Sequence, residues 1–280
     1  MKGKIMLISS IKIQMSHIFR SKSSVFVALA LLFVISVNFL QNMNRNIDAV
    51  YVTEMFDITK TLTLSDWSPV GYFFMQYYPL LIVIPTAGAY ICDLNNGIDL
   101  YMRSRIGIRN YLHGKVISVF LVTLILFTIP FLIEIMLSAV CFSTQSLGDP
   151  SRFEYFQTIE QDGKYFLANI YLNNRIIYAV IMSLLFGMVS AILATFNFTI
   201  TMLPIFKFKI MTYFPIYLLF YIISIFEKVV HLKFATYYAF ILRMFEVSTK
   251  KNYLVYIIFL LVLLAISIMI TEIKIRKNSI

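Results

Sequence analysis

The sequence predicts an all-α integral membrane protein with six transmembrane helices. Its 280 residues are 60% hydrophobic and only 14% charged, which is more apolar surface than a soluble domain of this length can bury. Six long apolar runs have the length, about 20 residues, that lets a helix cross a bilayer. The runs lack the alternation of barrel strands and are too long for them. Backbone groups in lipid must be satisfied within the chain, so these runs are expected to be helices.

The elements follow one another along the chain. Residues 1–23 are predicted to form an N-terminal amphipathic helix in the inner headgroup layer, because apolar residues recur there at steps of three and four beside a basic face. The transmembrane domain covers residues 24–271, and residues 272–280 form a cytoplasmic tail. The six predicted spans are residues 24–40, 69–92, 116–142, 176–203, 211–226 and 253–271.

The distribution of positive charge predicts the orientation. With the N-terminus inside, the cytoplasmic segments hold fourteen Lys and Arg against three acidic residues, and the outer segments hold ten of each. Basic residues concentrate on the cytoplasmic side of membrane proteins. We therefore expect a multi-pass protein of the cell membrane with both termini in the cytoplasm. No base-reading or base-stacking element accompanies the basic residues, so no nucleic-acid partner is expected.

Residues 229–247 allow two interpretations. They are nearly long enough to form a seventh span, but they contain His231, Lys233, Arg243 and Glu246. Charges near the centre of a span cost about 2.5–3.5 kcal/mol each, and a seventh span would move the basic C-terminal tail outside. An outer re-entrant segment between spans 5 and 6 is therefore preferred, with the seventh span as the alternative.

A charged segment, residues 93–115, separates the second and third spans on the cytoplasmic side; we call it the elbow. Its 23 residues exceed the about 2–8 that join adjacent helices in bundles. Leu94, Ile98 and Tyr101 recur at helical spacing, and Arg105 continues the stripe. Gly107 is expected to end this short helix. The elbow is thus either a surface for another protein or a solvated connector.

The elbow resembles the cytoplasmic segment of type-2 ATP-binding-cassette exporter permeases. In that family an acidic residue lies four positions before a glycine, a short coupling helix follows, and a Gly-Lys pair opens the third span. Asp93, Gly97, Gly114 and Lys115 occupy those positions. The family usually has Glu at the first position, where this chain has Asp93, and often Pro in the turn, where this chain has Arg105-Ile106-Gly107. The N-terminal helix, the six spans and the outer re-entrant segment also resemble the family's layout.

The resemblance implies a transport subunit rather than an enzyme. Such permeases rely on a separate ATPase, and this chain has no GxxxxGK[ST] phosphate loop. The chain itself is expected to bind no cofactor or metal and to hold no catalytic residue, with ATP bound by the partner. The implied partners are a cytoplasmic ATPase subunit, a second permease copy in a homodimer or heterodimer, and the lipid bilayer. The residues implied in ATPase coupling are Asp93, Gly97, Ile98, Tyr101, Arg105, Gly107 and Arg109.

Glu134 is the acidic residue within a predicted span. A charge at that depth is costly, so its side chain should face protein or water. It is either a pathway-lining group or a buried hydrogen-bonding group. Asn38 is expected to make a hydrogen bond between helices.

These observations predict an exporter of an amphiphilic substrate, namely a peptide, an antibiotic or a lipid-like molecule. The bias toward Ile, Lys, Asn and Phe indicates a bacterial origin. The alternative function is that of a membrane immunity or sensor protein that transports nothing.

Overall fold

The computed structural model describes residues 2–47, 57–65, 68–142, 167–206, 208–230 and 250–277. Within these ranges the chain is helical and contains no strand, so the prediction of an all-α protein is confirmed. In chain order the helices are α1 (Lys2–Phe19), α2 (Lys22–Arg45), α3 (Ile58–Thr61), α4 (Pro69–Val83), α5 (Ala89–Asn95), α6 (Ile98–Ile106), α7 (Ile108–Cys141), α8 (Ala168–Asn173), α9 (Arg175–Thr201), α10 (Phe214–Val230) and α11 (Lys250–Lys277).

Four helices are long and apolar enough to cross a membrane. They are α2, α7, α9 and the Tyr256–Lys277 part of α11, and they identify the chain as a membrane protein. Each contains most or all of one predicted span. Helix α11 continues from the last predicted span through residues 272–277 of the predicted tail.

The other two predicted spans are shorter or broken. The second one, residues 69–92, divides into α4 and α5 around a turn that contains Pro85, a residue without the N–H that a continuous helix needs. The fifth corresponds to α10, with 17 residues, preceded by a 3-10 turn at Lys209–Tyr213. Six spans therefore stay a prediction. Beyond Val230, the predicted re-entrant segment lies outside the described residues.

Helices α4, α7 and α9 form the core. Aromatic side chains from all three pack together, with the rings of Phe131 and Phe186 5.2 Å apart and those of Tyr78 and Phe186 5.1 Å apart. Gly187 of α9 lies so close to α7 that an added Cβ would overlap the hydroxyl of Thr128. Small residues at such positions let membrane helices approach closely.

Helix α1 packs along the beginning of α7. It buries Ser10, Gln14 and Ile18, and the Gln14 amide donates to the carbonyl oxygen of Tyr111 at 3.0 Å. Its apolar Ile8 is 59% exposed. The helix lies within the predicted residues 1–23, and it contacts the protein through polar side chains and through the apolar Ile18, with Met15 packed beside it. Its exposed apolar residues, Met6, Ile8, Ile13 and Phe19, are left available for lipid.

Candidate functional site

Two glycines shape the elbow. Helix α5 ends at Asn95, and Gly97 adopts a φ of +68° before α6. Gly107 adopts a φ of +77° between α6 and α7. Such backbone angles suit glycine. Gly107 ends the short helix as predicted. No atom lies within 4 Å of a Cβ added to Gly97, so this glycine is not needed to let another part of the chain approach closely. It is needed for the left-handed turn before α6.

Asp93 and Lys115 form a buried ion pair. Their side chains are 5% and 2% exposed. The Lys115 ammonium also donates to the carbonyl oxygen of Ala89 at 3.1 Å, and the Tyr111 hydroxyl donates to the Asp93 carboxylate at 2.7 Å. Buried charges are tolerated when they are paired and hydrogen-bonded in this way. The acidic and basic ends of the elbow motif thus meet and join α5 to α7, the helices on either side of α6.

Further polar contacts surround this pair. Asp99 accepts from Arg103 at 2.6 Å within α6. At the end of α11, the Lys274 ammonium donates to the carbonyl oxygen of Met202 at 2.9 Å. His113 of α7 lies 3.1 Å from a Glu272 carboxylate oxygen. Sequence reasoning missed these residues, although Asp99 and Arg103 have the i, i+4 spacing of a helical ion pair.

One surface of the elbow is exposed and mixed in character. Leu94 is 45% exposed, Leu100 73% and Tyr101 53%, and the guanidinium of Arg105 lies 4.3 Å from the centre of the Tyr101 ring. We call these four residues the elbow surface. The predicted stripe included Ile98 in place of Leu100; Ile98 is half-buried.

The break at Gly107 also separates two predicted coupling residues. Arg105 lies in the last turn of α6, and Arg109 lies in the first turn of α7. Arg109 is exposed. The two arginines therefore lie on different helices and do not share one helix face.

A second polar cluster surrounds Glu134, further along α7. The Glu134 side chain is buried, and its Oε1 atom accepts from the Asn38 amide at 2.9 Å. The same oxygen accepts from the backbone N–H of Thr63 at 2.7 Å and from the Thr63 hydroxyl at 2.6 Å. The bond from Asn38 joins α2 to α7, so the predicted interhelical hydrogen bond of Asn38 is confirmed.

The segment that Glu134 binds, residues 57–65, is buried at every position; we call it the strap. Its Thr61 carbonyl oxygen accepts from the amides of Asn38 and Asn42, each at 2.7 Å. Gly71 makes room for the strap, since an added Cβ would overlap the Thr63 carbonyl oxygen. Buried irregular backbone must find hydrogen-bond partners, and membrane-helix side chains supply them here.

The beginning of the strap is held by charge. The Asp57 carboxylate lies 2.7 Å from the Arg175 guanidinium at the start of α9 and accepts from the Thr59 backbone N–H at 3.2 Å. Burial raises the pKa of Asp57 above its usual value, and this effect exceeds the opposing effects of Arg175 and Thr59. Protonation of Asp57 therefore begins at a higher pH than for an exposed aspartate.

The described residues contain no group of three or more His, Cys, Asp and Glu that could hold a metal ion. Comparisons with protein-family models, curated proteins and solved structures find no match for this chain. The resemblance of the elbow to type-2 permeases stays a prediction from the sequence. What the structure adds is the contact between Asp93 and Lys115, two residues that this motif singles out.

Proposed function

We propose that the chain is the permease subunit of an ATP-driven exporter of the type-2 ATP-binding-cassette family. It would move an amphiphilic peptide, antibiotic or lipid-like molecule across a bacterial cell membrane. In this proposal the chain has six spans, both termini are cytoplasmic, and a second permease copy completes the path. The observation that carries the proposal is the buried ion pair between Asp93 and Lys115, together with the exposed elbow surface beside it.

The ion pair gives a mechanical reason for this role. It fixes α5 against α7, so a force applied to α6 reaches two helices rather than a loose loop. Helix α7 has 34 residues and no break between Ile108 and Cys141, a length of about 50 Å at the usual helical rise. A displacement of the elbow is thus carried along α7 past Glu134.

The elbow surface has the chemistry of a docking site. Leu100 and Tyr101 offer an exposed apolar contact, and Arg105 adds a cation that stacks on the aromatic ring. Aromatic residues and arginine are enriched at protein interfaces. The proposed partner is a cytoplasmic ATPase that binds and hydrolyses ATP. Gly97 and Gly107 set the angles of α6, with Ile98 and Arg109 at its borders.

Glu134 has a different place in this proposal. Its carboxylate is occupied by the strap and Asn38, so Glu134 lines a pathway only in a state where the strap has moved. Movement of α7 relative to α2 and the strap would change these hydrogen bonds. The substrate path would open beside the strap.

The test is reconstitution with an ATPase encoded beside this gene. We expect the two proteins to co-purify and amphiphilic peptides to stimulate ATP hydrolysis. Replacing Leu100 and Tyr101 by Ser should abolish both effects, whereas Ile13→Ser, which removes an apolar side chain that is 57% exposed on α1, should preserve them. Full stimulation in the elbow variant would contradict the docking role. Absence of any associated ATPase would favour the immunity or sensor function.

A further inference from the structure

We propose that a cleft between α2, α4 and the 3-10 turn at Lys209–Tyr213 binds one anionic phospholipid, with its phosphate at Lys22 and Lys209 and an acyl chain over Ile84. The cleft has a volume of about 450 Å³. Its lining comes from three separate parts of the chain: Lys22, Ser23, Phe26, Leu80, Ile84 and Tyr213. It lies at the beginning of α2 and the end of α4.

The lining divides into a polar rim and an apolar floor. Lys22, Ser23 and Tyr213 bring an ammonium and two hydroxyl groups to the lining, and we call these three residues the rim. Phe26, Leu80 and Ile84 form the floor. A phospholipid has the same division between a polar headgroup and an apolar chain. A soluble anion would find partners at the rim and none on the floor.

A second cation reaches this part of the fold. The Lys209 side chain crosses Gly88, where the chain turns from α4 into α5, and a Cβ added to Gly88 would lie 2.8 Å from its Cε atom. Gly88 follows Ile84 of the cleft by four residues. Within the described ranges neither Lys22 nor Lys209 forms a salt bridge, and no carboxylate lines the cleft. The rim therefore attracts an anion.

The cleft is also open toward lipid. Phe26 is 58% exposed, and the same helix continues outward with Leu29 at 62% and Phe33 at 70%. An acyl chain leaving the floor would meet this apolar surface. Lys22 precedes the apolar run of α2, at the level where headgroups meet a transmembrane helix. Basic residues at such positions attract anionic lipids, and basic pockets between helices bind their headgroups.

The cleft is separate from the elbow surface. Its residues belong to α2, α4 and the 3-10 turn, whereas the elbow surface belongs to α5 and α6. Lipid binding here does not depend on an ATPase partner. The experiment therefore uses the purified full chain alone.

The test is native mass spectrometry of the chain released from vesicles of phosphatidylcholine and phosphatidylglycerol. We expect a preference for retained phosphatidylglycerol, and we expect Lys22→Gln/Lys209→Gln to lower it about tenfold, since each lysine near a membrane surface contributes to such attraction. The matched control is Lys12→Gln/Lys277→Gln, which removes two other exposed lysines and should leave the preference unchanged.

Three outcomes would overturn the proposal. The first is that Lys22→Gln/Lys209→Gln retains phosphatidylglycerol with the same preference as the original chain. The second is that the control Lys12→Gln/Lys277→Gln loses this preference to the same extent. The third is that soluble glycerol phosphate displaces the retained lipid. The last result would indicate a site for free phosphate. If the double variant does not fold, Lys22→Gln alone and Phe26→Ala test the rim and the floor separately. Each should weaken retention, and full retention in both would contradict the assignment.

Discussion

Two buried carboxylates, Asp93 beside α7 and Glu134 within α7, are stabilised in opposite ways. At the elbow, Asp93 meets the ammonium of Lys115 and the hydroxyl of Tyr111. At the strap, the described partners of Glu134 are the uncharged donors of Asn38 and Thr63. Lys115 and Glu134 lie about 28 Å apart along the helix at the usual rise. The charged pair joins two helices, whereas the neutral donors attach the strap, a short segment with a single helical turn, to the bundle.

The difference indicates two mechanical roles. Removing one partner of a buried ion pair leaves an uncompensated charge, so the elbow joint resists opening. Each hydrogen bond between Glu134 and a neutral donor contributes less to stability than the ion pair does. Glu134 can therefore exchange one such donor for another more easily. The elbow is therefore suited to transmit force, and the strap is suited to shift when force arrives.

The largest loss of stability is expected when the ion pair between Asp93 and Lys115 is broken. Lys115→Met should lower the free energy of unfolding by about 3–5 kcal/mol, because Asp93 is left buried without a cation. Adding Asp93→Leu to this variant should recover most of the lost free energy of unfolding, since an apolar pair of similar size needs no charge compensation. Unfolding by detergent titration measures both values. Equal stability of Lys115→Met and the original chain would show that Asp93 is not held as the structure shows it.

The next largest loss of stability is expected when the hydrogen bonds of Glu134 are removed. Glu134→Ala should lower the free energy of unfolding by about 1–3 kcal/mol, because donors of Asn38 and Thr63 lose their buried acceptor. Glu134→Gln keeps an acceptor oxygen at that position, so its free energy of unfolding should fall less than that of Glu134→Ala. The two variants are compared by detergent titration and by labelling of a cysteine placed at Leu64 of the strap. Labelling that is slow and equal in all three proteins would show that Glu134 does not hold the strap.

Sequence reasoning reached local features more fully than distant contacts. The short elbow helix could be predicted from the positions of the glycines and from helical spacing, because both signals lie within a short stretch of sequence. The motif singled out Asp93 and Lys115, but their contact requires α5 and α7 to lie side by side. The division of the second predicted span into α4 and α5 around Pro85 was harder still to predict, because proline can either kink a transmembrane helix or end it. At Pro79, by contrast, α4 continues through the proline.

The strap was missed for a related reason. Residues 57–65 have short polar side chains at every second position or so and read as a loop between spans. Their burial depends on Asn38, Asn42 and Glu134, which come from two helices far apart in sequence. Three threonines at alternate positions, Thr59, Thr61 and Thr63, are the local signal that could have indicated a buried segment.

The two glycines of the elbow are expected to differ in how well they tolerate substitution. Gly97 is in the left-handed helical region, which Asn tolerates, whereas Gly107 combines a φ of +77° with a ψ of 150°, a region used almost only by glycine. Gly97→Asn should therefore change stability little. Gly107→Asn should lower it by about 1–3 kcal/mol, with no steric contribution because no atom lies within 4 Å of either Cβ. Detergent titration of this matched pair measures the difference, and equal losses would contradict the assigned backbone angles.

The smallest expected effect concerns the strap and pH. Burial raises the pKa of Asp57, so the folded chain binds this proton more tightly than the unfolded chain does. The contribution of Asp57 to stability is therefore full below its ordinary pKa and is lost as the pH rises through the folded value. Relative to Asp57→Asn, which does not titrate, the original chain should gain stability as the pH falls through this window. Arg175 and Thr59 offset part of the burial effect, so the gain should be modest. Detergent titration of both proteins across acidic pH measures it, and a relative loss on acidification would show that the ion pair with Arg175 outweighs burial.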